Sequence, residues 1–407
     1  MEIAQGAVEM AAAEEEEEEV YAWSWGAGND GQLGTGTLED QHLPQPLPHL
    51  PTAVSSVACG GAHAVALTGD GKVLTWGRGI HGQLGHGKFE SCCRPKPVKF
   101  LESLTISYVS AGWNHSGFVT DTGCLFMCGD GSFGQLGNGD NQSHGSPFKV
   151  LFFVSQHVKQ VACGMRHSLA LVTGSSGDMI YGFGSGRHGQ IGKHLSGGQR
   201  SLNLPAAVQG FDDRKIISMH ANGDHSAALS VAYFASASGQ LYIWGRRFSG
   251  NVDNHIPQIA PLSLRISQVA LGWNHALVMA DGFVYMLGGS RHGLLAETQK
   301  VNLVEHGLPT LASCTTSNGS PLTLERVPCL NEKVVSIAAG AEHSALVTEK
   351  GSVMTWGWGE HGQLGLGDTS DQTRPQKVKL DCNGSFLWTQ FAVYCGSGFT
   401  IVAKATE

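Results

Sequence analysis

Apolar residues in this chain come in short runs, each bounded by glycine or by other turn-forming residues. A clear example near the N-terminal end consists of three runs, at residues 57–59, 64–67 and 73–76. A Gly-Gly-Ala-His turn separates the first two runs, and a Thr-Gly-Asp-Gly loop separates the last two. Runs of this length between turn formers predict antiparallel strands joined by tight connections. A fourth strand is predicted around Pro97 and Val98, and no stretch has helical periodicity.

This pattern recurs seven times, about every fifty residues, and two motifs alternate along it. The first motif is W-G-x-G-x-x-G-Q-L-G-x-G, complete at residues 25–36, 76–87 and 356–367, with weaker copies beginning at Cys128, Phe183, Trp244 and Leu287. The second is G-x-x-H, ending at His63, His115, His167, His225, His275 and His343, with Phe399 in the seventh slot. Repeats of short strands with this period predict an all-β fold, a seven-bladed β-propeller of four-stranded antiparallel blades.

We divide the chain into an acidic, disordered tail over residues 1–19 and a propeller over residues 20–407. The spacing from Leu287 to Trp356 is 69 residues, well above the usual period. We assign the excess to a loop insertion in the sixth unit, near residues 297–325.

The two ends of the repeat region predict how the ring closes. The strand at residues 20–25 has no partner before it, and the strand at residues 399–403 has none after it. Pairing the two would complete one blade from both termini and remove two open sheet edges.

The net charge of −8 arises at the N-terminal end of the chain. Residues 1–19 hold eight of the 34 acidic residues and none of the 26 basic ones. The remainder is therefore neutral and lacks the overall basic excess that is typical of nucleic-acid binders. We expect no strong binding to nucleic acids.

The ten cysteines form no C-x-x-C pair, and Cys59, Cys163 and Cys395 occupy the same place before the G-x-x-H motif. This recurrence indicates small buried residues with reduced thiols, and hence a location in the cytoplasm, the nucleus or both. No segment approaches the roughly 18 consecutive apolar residues of a membrane span, so we expect no membrane association.

Neither recurrent motif predicts a cofactor or a metal. G-x-G-x-x-G occurs five times, but Gln-Leu-Gly or Gln-Ile-Gly follows each copy instead of a helix, so we interpret the glycines as turn residues. The six histidines are spread around the ring and cannot converge on one ion. We interpret each as making a structural hydrogen bond inside its blade. No hydrolase or oxidoreductase site is recognisable, and nucleotide exchange is the one activity that stays open.

The two residues between Gly and His vary although their frame repeats. Turns with a constant motif position at each end and variable residues between them would place seven loops around the axis on one face, where repeat proteins commonly bind partners. Two exposed tryptophans would be costly without a partner, which favours a contact surface. The predicted partner-binding residues are Trp113, Asn114, Arg166, Asp224, Trp273, Asn274 and Glu342. The alternative interpretation is that each is only a turn residue.

The two motifs together resemble the regulator of chromosome condensation repeat, over residues 20 to about 405. This family includes the exchange factor for the small GTPase Ran, a plant UV-B photoreceptor and a secretion-regulating guanine nucleotide exchange factor. Residues 25–47, the sixth-unit insertion and residues 356–362 look most like the last type. The resemblance implies a protein-interaction platform whose partner is a protein, and we predict a regulator of a small GTPase.

Three functions remain open under this resemblance. For nucleotide exchange, the slot of a catalytic acid in the Ran factor holds Trp113, so Asp224 and Glu342, the acids of the seven turns, become the candidates. The second is a UV-B photoreceptor-like signalling protein, which in this family needs closely packed tryptophans. Trp113 and Trp273 lie three blades apart, and we expect their rings to be separated. The third is a scaffold without exchange activity. The identity of the partner and the oligomeric state stay open.

Overall fold

A computed structural model shows seven four-stranded antiparallel sheets, each forming one blade of a propeller. It describes residues 21–47, 49–51, 54–174, 177–211, 214–232, 239–246, 253–260, 262, 264–288, 324–328, 332–380 and 391–404. The first strand of every blade lines a central channel with a volume of about 400 Å³. The predicted seven-bladed, all-β architecture is confirmed.

The first fourteen strands are β1 (Ala22–Gly26), β2 (Gln41–Pro46), β3 (Val54–Cys59), β4 (His63–Thr68), β5 (Val73–Gly77), β6 (Cys92–Pro97), β7 (Ile106–Ala111), β8 (His115–Thr120), β9 (Leu125–Gly129), β10 (His144–Lys149), β11 (Val158–Cys163), β12 (His167–Thr173), β13 (Asp178–Ser185) and β14 (Ser201–Ala207). The other fourteen are β15 (Arg214–Asn222), β16 (His225–Ala232), β17 (Gln240–Gly245), β18 (Asn254–Ile259), β19 (Ile266–Leu271), β20 (His275–Ala280), β21 (Phe283–Gly288), β22 (Leu324–Arg326), β23 (Val334–Ala339), β24 (His343–Thr348), β25 (Val353–Gly357), β26 (Gln372–Lys377), β27 (Phe391–Cys395) and β28 (Phe399–Lys404). Two single-turn 3-10 helices, Lys99–Leu101 and Leu151–Phe153, follow β6 and β10.

Blade 1 is built from both ends of the chain, with the strand order β27, β28, β1, β2 from the channel outward. Ala22 pairs with Ala403 and Gly26 with Phe399, so β1 and β28 are antiparallel neighbours. This pairing confirms the predicted ring closure. Blades 2 to 7 each use four consecutive strands, from β3–β6 to β23–β26.

The propeller has two chemically different faces, and strand register decides which residues share each. His63 pairs with Gly77, so the G-x-x-H turns and the glycine-rich loops after each Trp-Gly lie on one side, here named the turn face. The tight hairpins between the second and third strands lie on the other side, named the hairpin face. All predicted partner-binding residues are therefore on the turn face.

The hydrophobic core lies between blades as well as within them. In one cluster Val65 of blade 2 packs with Phe118 and Cys128 of blade 3, all fully buried. A single blade leaves its apolar faces uncovered, and stacking neighbours around the ring covers them.

Two predicted segments, the tail over residues 1–19 and most of the insertion near residues 297–325, lie outside the described residues. Among the residues that are described, no helix is long and apolar enough to cross a membrane.

Candidate partner-binding face

Backbone hydrogen bonds join the G-x-x-H turns into a belt around the mouth of the channel. The N–H of Trp113 in blade 3 donates to the carbonyl of Gly164 in blade 4, at 3.1 Å. The same kind of bond runs from Gly61 to Gly112 and, across the closing junction, from Ser397 to Gly60. Between blades 5 and 6 the link comes from a side chain, with Nδ2 of Asn222 donating to the carbonyl of Leu271. The turns are therefore held by their neighbours, and the belt fixes where the side chains at the variable positions begin.

The motif histidines bind across the junctions between blades, which corrects the expectation of a bond inside each blade. Nε2 of His63 in blade 2 lies 2.9 Å from Oγ of Ser116 in blade 3. The pattern repeats from His115 to Ser168, from His167 to Ser226, from His275 to Ser344 and from His343 to Thr400. At these five junctions the partner is the residue that follows the motif position of the next blade, whereas the matching residue for His225 is Ala276, which has no hydroxyl.

The serine hydroxyls fix the protonation of these histidines. Ser116 donates its single proton to the carbonyl of Gln83, at 2.7 Å. Its oxygen must therefore accept a hydrogen bond from His63, which places the imidazole proton on Nε2. Burial lowers the pKa of His63 to about 3 and that of His115 to about 4, so both are neutral at physiological pH.

An apolar contact replaces the histidine–hydroxyl hydrogen bond at the junction between blades 1 and 2. Phe399 occupies the histidine slot, and the residue that follows the next histidine is Ala64, which has no hydroxyl. Both side chains are fully buried in one hydrophobic cluster. At this junction both the histidine and the hydroxyl partner of the five hydrogen-bonded junctions are replaced by apolar residues.

Trp113 and Trp273 contact each other, although they belong to blades 3 and 6. Their ring centroids are 5.1 Å apart and the ring planes make an angle of 42°. Both side chains are half-buried, and with Met165 and Asn222 they line a cavity of about 70 Å³ at the channel mouth. The expectations of separated rings and of exposed side chains were wrong, because residues three blades apart face each other across the axis.

Asp224 is held by three side chains from two other segments. Its Oδ1 accepts a hydrogen bond from Nε2 of Gln190 at 3.1 Å. Its Oδ2 lies 3.8 Å from Nε2 of His188 and 3.9 Å from Nη1 of Arg246. His188 also contacts Asp253, with 2.8 Å between Nδ1 and Oδ2. The carboxylate is therefore oriented and partly screened before any partner arrives.

The remaining predicted residues are distributed around the belt. Nδ2 of Asn274 donates to Oε1 of Glu342 at 3.4 Å, which links blades 6 and 7. The guanidinium of Arg166 is exposed and lies 4.9 Å above the ring centroid of Phe133. Oδ1 of Asn114 is buried. The structure thus brings together Trp113 with Trp273 and Asn274 with Glu342, while Asp224 is engaged elsewhere.

Sequence reasoning missed the loop residues that surround Asp224. His188 and Gln190 come from the glycine-rich loop of blade 4, and Asp253 precedes the outer strand of blade 5. The recurrent glutamine was visible as a signal, but only the overlap of that loop with the next blade shows what it contacts.

No cluster of three or more His, Cys, Asp or Glu side chains suited to a metal occurs within the described ranges. Cys59, Cys163 and Cys395 line the channel as free thiols. Burial raises the pKa of Cys163 and of Cys395 to about 12, so both stay protonated and unreactive. The face offers hydrogen-bonding and aromatic groups for a protein surface.

Comparison with known proteins decides the family. The RCC1-like domain model matches residues 21–402. The chain belongs to the RCC1-like domain family. It is 33% identical over 367 residues to the ultraviolet-B receptor UVR8 of Arabidopsis thaliana, covering 88% of this chain and 77% of that one. It is 30% identical over 419 residues to the secretion-regulating guanine nucleotide exchange factor of Mus musculus, covering 97% and 85%.

Solved structures show the same fold at lower identity. Human WBSCR16 superposes with a TM-score of 0.75 at 24% identity, covering 95% of this chain and 100% of that one. Prp20p from Saccharomyces cerevisiae superposes with a TM-score of 0.73 at 22% identity, covering 96% and 92%. The chain is thus an RCC1-like propeller related to guanine nucleotide exchange factors.

Proposed function

We propose that this propeller binds a protein partner through its turn face and regulates a small GTPase. The observation that carries the proposal is the convergence of Trp113 and Trp273 at the centre of a rigid belt of turns. Half-buried aromatic side chains at the centre of a surface are typical of binding hot spots. We place this activity in the cytoplasm, the nucleus or both.

Relatives support a GTPase as the partner. The mouse relative is named as a guanine nucleotide exchange factor. The crystal structure of Prp20p was described together with the binding of that protein to Gsp1p and histones. An exchange factor binds the nucleotide-free GTPase better than the loaded one, and this difference in affinity is what drives nucleotide release.

Glu342 is the stronger of the two acids proposed for exchange. Asp224 already accepts a hydrogen bond from Gln190 and faces His188 and Arg246. The N–H of Trp273 donates to the carbonyl of Ala341 at 3.0 Å, so Glu342, the next residue, is adjacent to the tryptophan pair, and its Oε1 accepts from Nδ2 of Asn274. We assign Glu342 to contact with the partner and Asp224 to positioning the loops of blades 4 and 5.

A panel of small GTPases loaded with fluorescent GDP tests the exchange activity. We expect accelerated GDP release from one of them, with Glu342→Gln lowering the rate more than Asp224→Asn. If no member of the panel responds but one is captured without exchange, the protein is a scaffold and the exchange proposal is wrong.

Substitution of the central tryptophans tests the face itself. Trp113→Ala and Trp273→Ala should each weaken binding of the captured partner by about 2 kcal/mol or more. Trp23→Phe, at a buried position in blade 1, is the matched aromatic control and should leave affinity unchanged. If the two Ala variants lose stability but keep their affinity, the partner binds elsewhere.

UV-B perception is a second candidate, and one observation favours it. The rings of Trp113 and Trp273 are in contact, which removes the reason for excluding an excitonic pair. Against it, Arg166 is the only arginine in the seven turns, whereas the photoreceptor dimer uses many arginine–carboxylate pairs. A change of oligomeric state of the purified protein under UV-B would support this function, and an unchanged state would exclude it.

A further inference from the structure

Five exposed basic side chains lie together on the turn face of blades 4 and 5, and we name this surface the basic arc. Its members are Arg166, Arg187, Lys193, Arg200 and Arg246. The N–H of Ser185 donates to the carbonyl of Arg166 at 2.7 Å, and the N–H of Gly186 donates to the carbonyl of Arg200 at 2.8 Å. Two arginines thus flank the start of the loop that carries Arg187.

Blade 5 completes the basic arc. Arg246 N–H donates to the carbonyl of Asp224 at 2.9 Å, so Arg246 begins beside the turn of that blade. Gly189 of the blade 4 loop packs against the backbone of Asn254 and His255 in blade 5. The two blades therefore present their basic side chains on one continuous surface.

The acidic side chains within the described part of this surface lie beneath the basic ones. Asp224 and Asp253 are 18% and 32% exposed, whereas Arg246 is 62% exposed. His188 contacts both carboxylates, so they are engaged inside the protein. The outer layer of the basic arc is consequently positive, although the body of the chain is neutral.

The other side of the turn face carries exposed acids. Glu39 is in blade 1, and Glu360 and Asp368 are in blade 7. The face thus carries exposed bases on blades 4 and 5 and exposed acids on blades 7 and 1, while on blade 2 the exposed Lys88 and Glu90 form an ion pair at 3.6 Å. Such a distribution orients a charged partner as it approaches.

We propose that the basic arc binds an acidic segment of a protein partner, a stretch of chain rich in Asp and Glu. Guanidinium groups pair with carboxylates through two parallel hydrogen bonds, and four of the five basic residues are arginines. Gly197 and Gly198, with φ of 67° and 79°, have open space around them, so an extended chain can approach this edge. A long nucleic acid is a poorer fit because the body of the chain is neutral and the same face carries exposed acids on blades 7 and 1, which would repel its phosphates.

The chain's own acidic run, Glu14–Glu19, leads into Tyr21 on the hairpin face of blade 1. The basic arc is on the opposite face, three blades away, and deletion of residues 1–19 tests whether this tail competes for it. The proposal goes beyond the proposed function, because it requires neither a GTPase nor the tryptophan pair.

Fluorescence anisotropy of a labelled polyglutamate peptide with the full chain tests this site. Arg187→Glu combined with Arg200→Glu should weaken binding about tenfold or more at low salt. Lys99→Glu combined with Arg265→Glu makes the same change in net charge on the hairpin face, where both residues are exposed. This control should change the affinity less than about twofold. Arg187→Lys with Arg200→Lys should give a smaller loss than the reversal, because lysine keeps the charge but lacks the planar fork.

Three results would overturn the proposal. Equal losses in the reversal variant and in its control would mean that the charge of the whole protein attracts the peptide. Tighter binding of a labelled oligonucleotide than of the peptide, abolished by the same reversal, would assign the surface to nucleic acid. Binding that strengthens about tenfold after deletion of residues 1–19 would make the acidic tail, from the same molecule or from a second copy, the occupant. Each result is independent of whether the GTPase assay succeeds.

Discussion

The indole rings of Trp113 and Trp273 meet over the propeller axis, with their centroids 5.1 Å apart. Their backbones belong to turns on blades 3 and 6, and the residues at the matching positions of five other blades are smaller: Gly61, Met165, Gly223, Ala341 and Ser397. Two large side chains on opposite sides thus fill the space that small residues leave at the channel mouth. The pair connects halves of the ring that share no sheet.

This contact should appear as coupling between the two residues. Trp113→Ala and Trp273→Ala should each lower the free energy of unfolding, and the double variant should lose less than the sum of both. We expect a coupling of about 0.5–1.5 kcal/mol, the range for aromatic pairs. Urea unfolding of the four proteins in the cycle measures it. Additive losses would show that the rings meet without stabilising the ring of blades.

The hydrogen-bonded pair of His63 and Ser116 should be replaceable as a unit. Ser116→Ala alone should cost about 1–3 kcal/mol of unfolding free energy, because it leaves the Nε2–H of His63 without its acceptor. The carbonyl of Gln83 then keeps only the weak donor Sγ of Cys128, at 3.6 Å. Adding His63→Phe should recover part of that loss, since the pair then copies Phe399 and Ala64 at the closing junction. Denaturant unfolding provides the comparison. A double variant less stable than Ser116→Ala would show that a Phe–Ala pair is tolerated only in the surroundings of the junction between blades 1 and 2.

Acid should destabilise the protein through the buried motif histidines. Burial lowers the pKa of His63, His167, His225 and His343 to about 3, and that of His115 and His275 to about 4. Below the unfolded value of about 6.5 the unfolded chain binds more protons than the folded one, so stability falls as pH decreases from there towards the folded values.

Each histidine contributes up to about 1.4 kcal/mol per pH unit within this window. The free energy of unfolding should therefore drop steeply from about pH 6.5 down to about pH 4, the higher of the folded values, and change little above about pH 7. The variant combining His63→Phe with Ser116→Ala should show a smaller slope of unfolding free energy against pH, because it lacks one of the titrating histidines. An identical slope in that variant and in the parent would mean that other groups cause the acid effect.

Removal of the last strand should open the ring. Deleting residues 399–407 removes β28 from the middle of blade 1 and leaves the edges of β27 and β1 unpaired. Exposed edges promote pairing between molecules, so light scattering and size-exclusion chromatography should detect aggregates. Deleting residues 1–19 is the matched control at the other terminus and should leave the melting temperature nearly unchanged. A monomeric truncated chain with normal melting would contradict closure by both termini.

Two glycines with similar backbone angles should respond differently to substitution. Gly77 has φ of 97°, and an added Cβ would lie 2.5 Å from the carbonyl oxygen of Ala62. Gly198 has φ of 79° and open space around it. Gly198→Ala should cost about 1 kcal/mol from backbone conformation alone, and Gly77→Ala clearly more. Thermal unfolding compares the two variants. Equal shifts in melting temperature would mean that the backbone around Gly77 moves to accommodate the added methyl group.

The sequence determined the architecture of this protein because the signals involved are local and repeated. Short apolar runs between turn residues define the strands, and their recurrence about every fifty residues defines the number of blades. The incomplete repeat at each end implies that β1 and β28 pair. Each of these inferences needs only the order of residues along the chain and the rule that sheet edges are costly.

Tertiary structure alone decided what the side chains of the turn face contact. His63 and Ser116 are 53 positions apart and meet because neighbouring blades stack. Trp113 and Trp273 meet because a closed ring brings opposite turns together across its axis. Distances across a ring depend on its radius and on the reach of each side chain, neither of which is encoded in the repeat pattern. A periodic sequence therefore fixes the blades, and the closed ring fixes which side chains become neighbours.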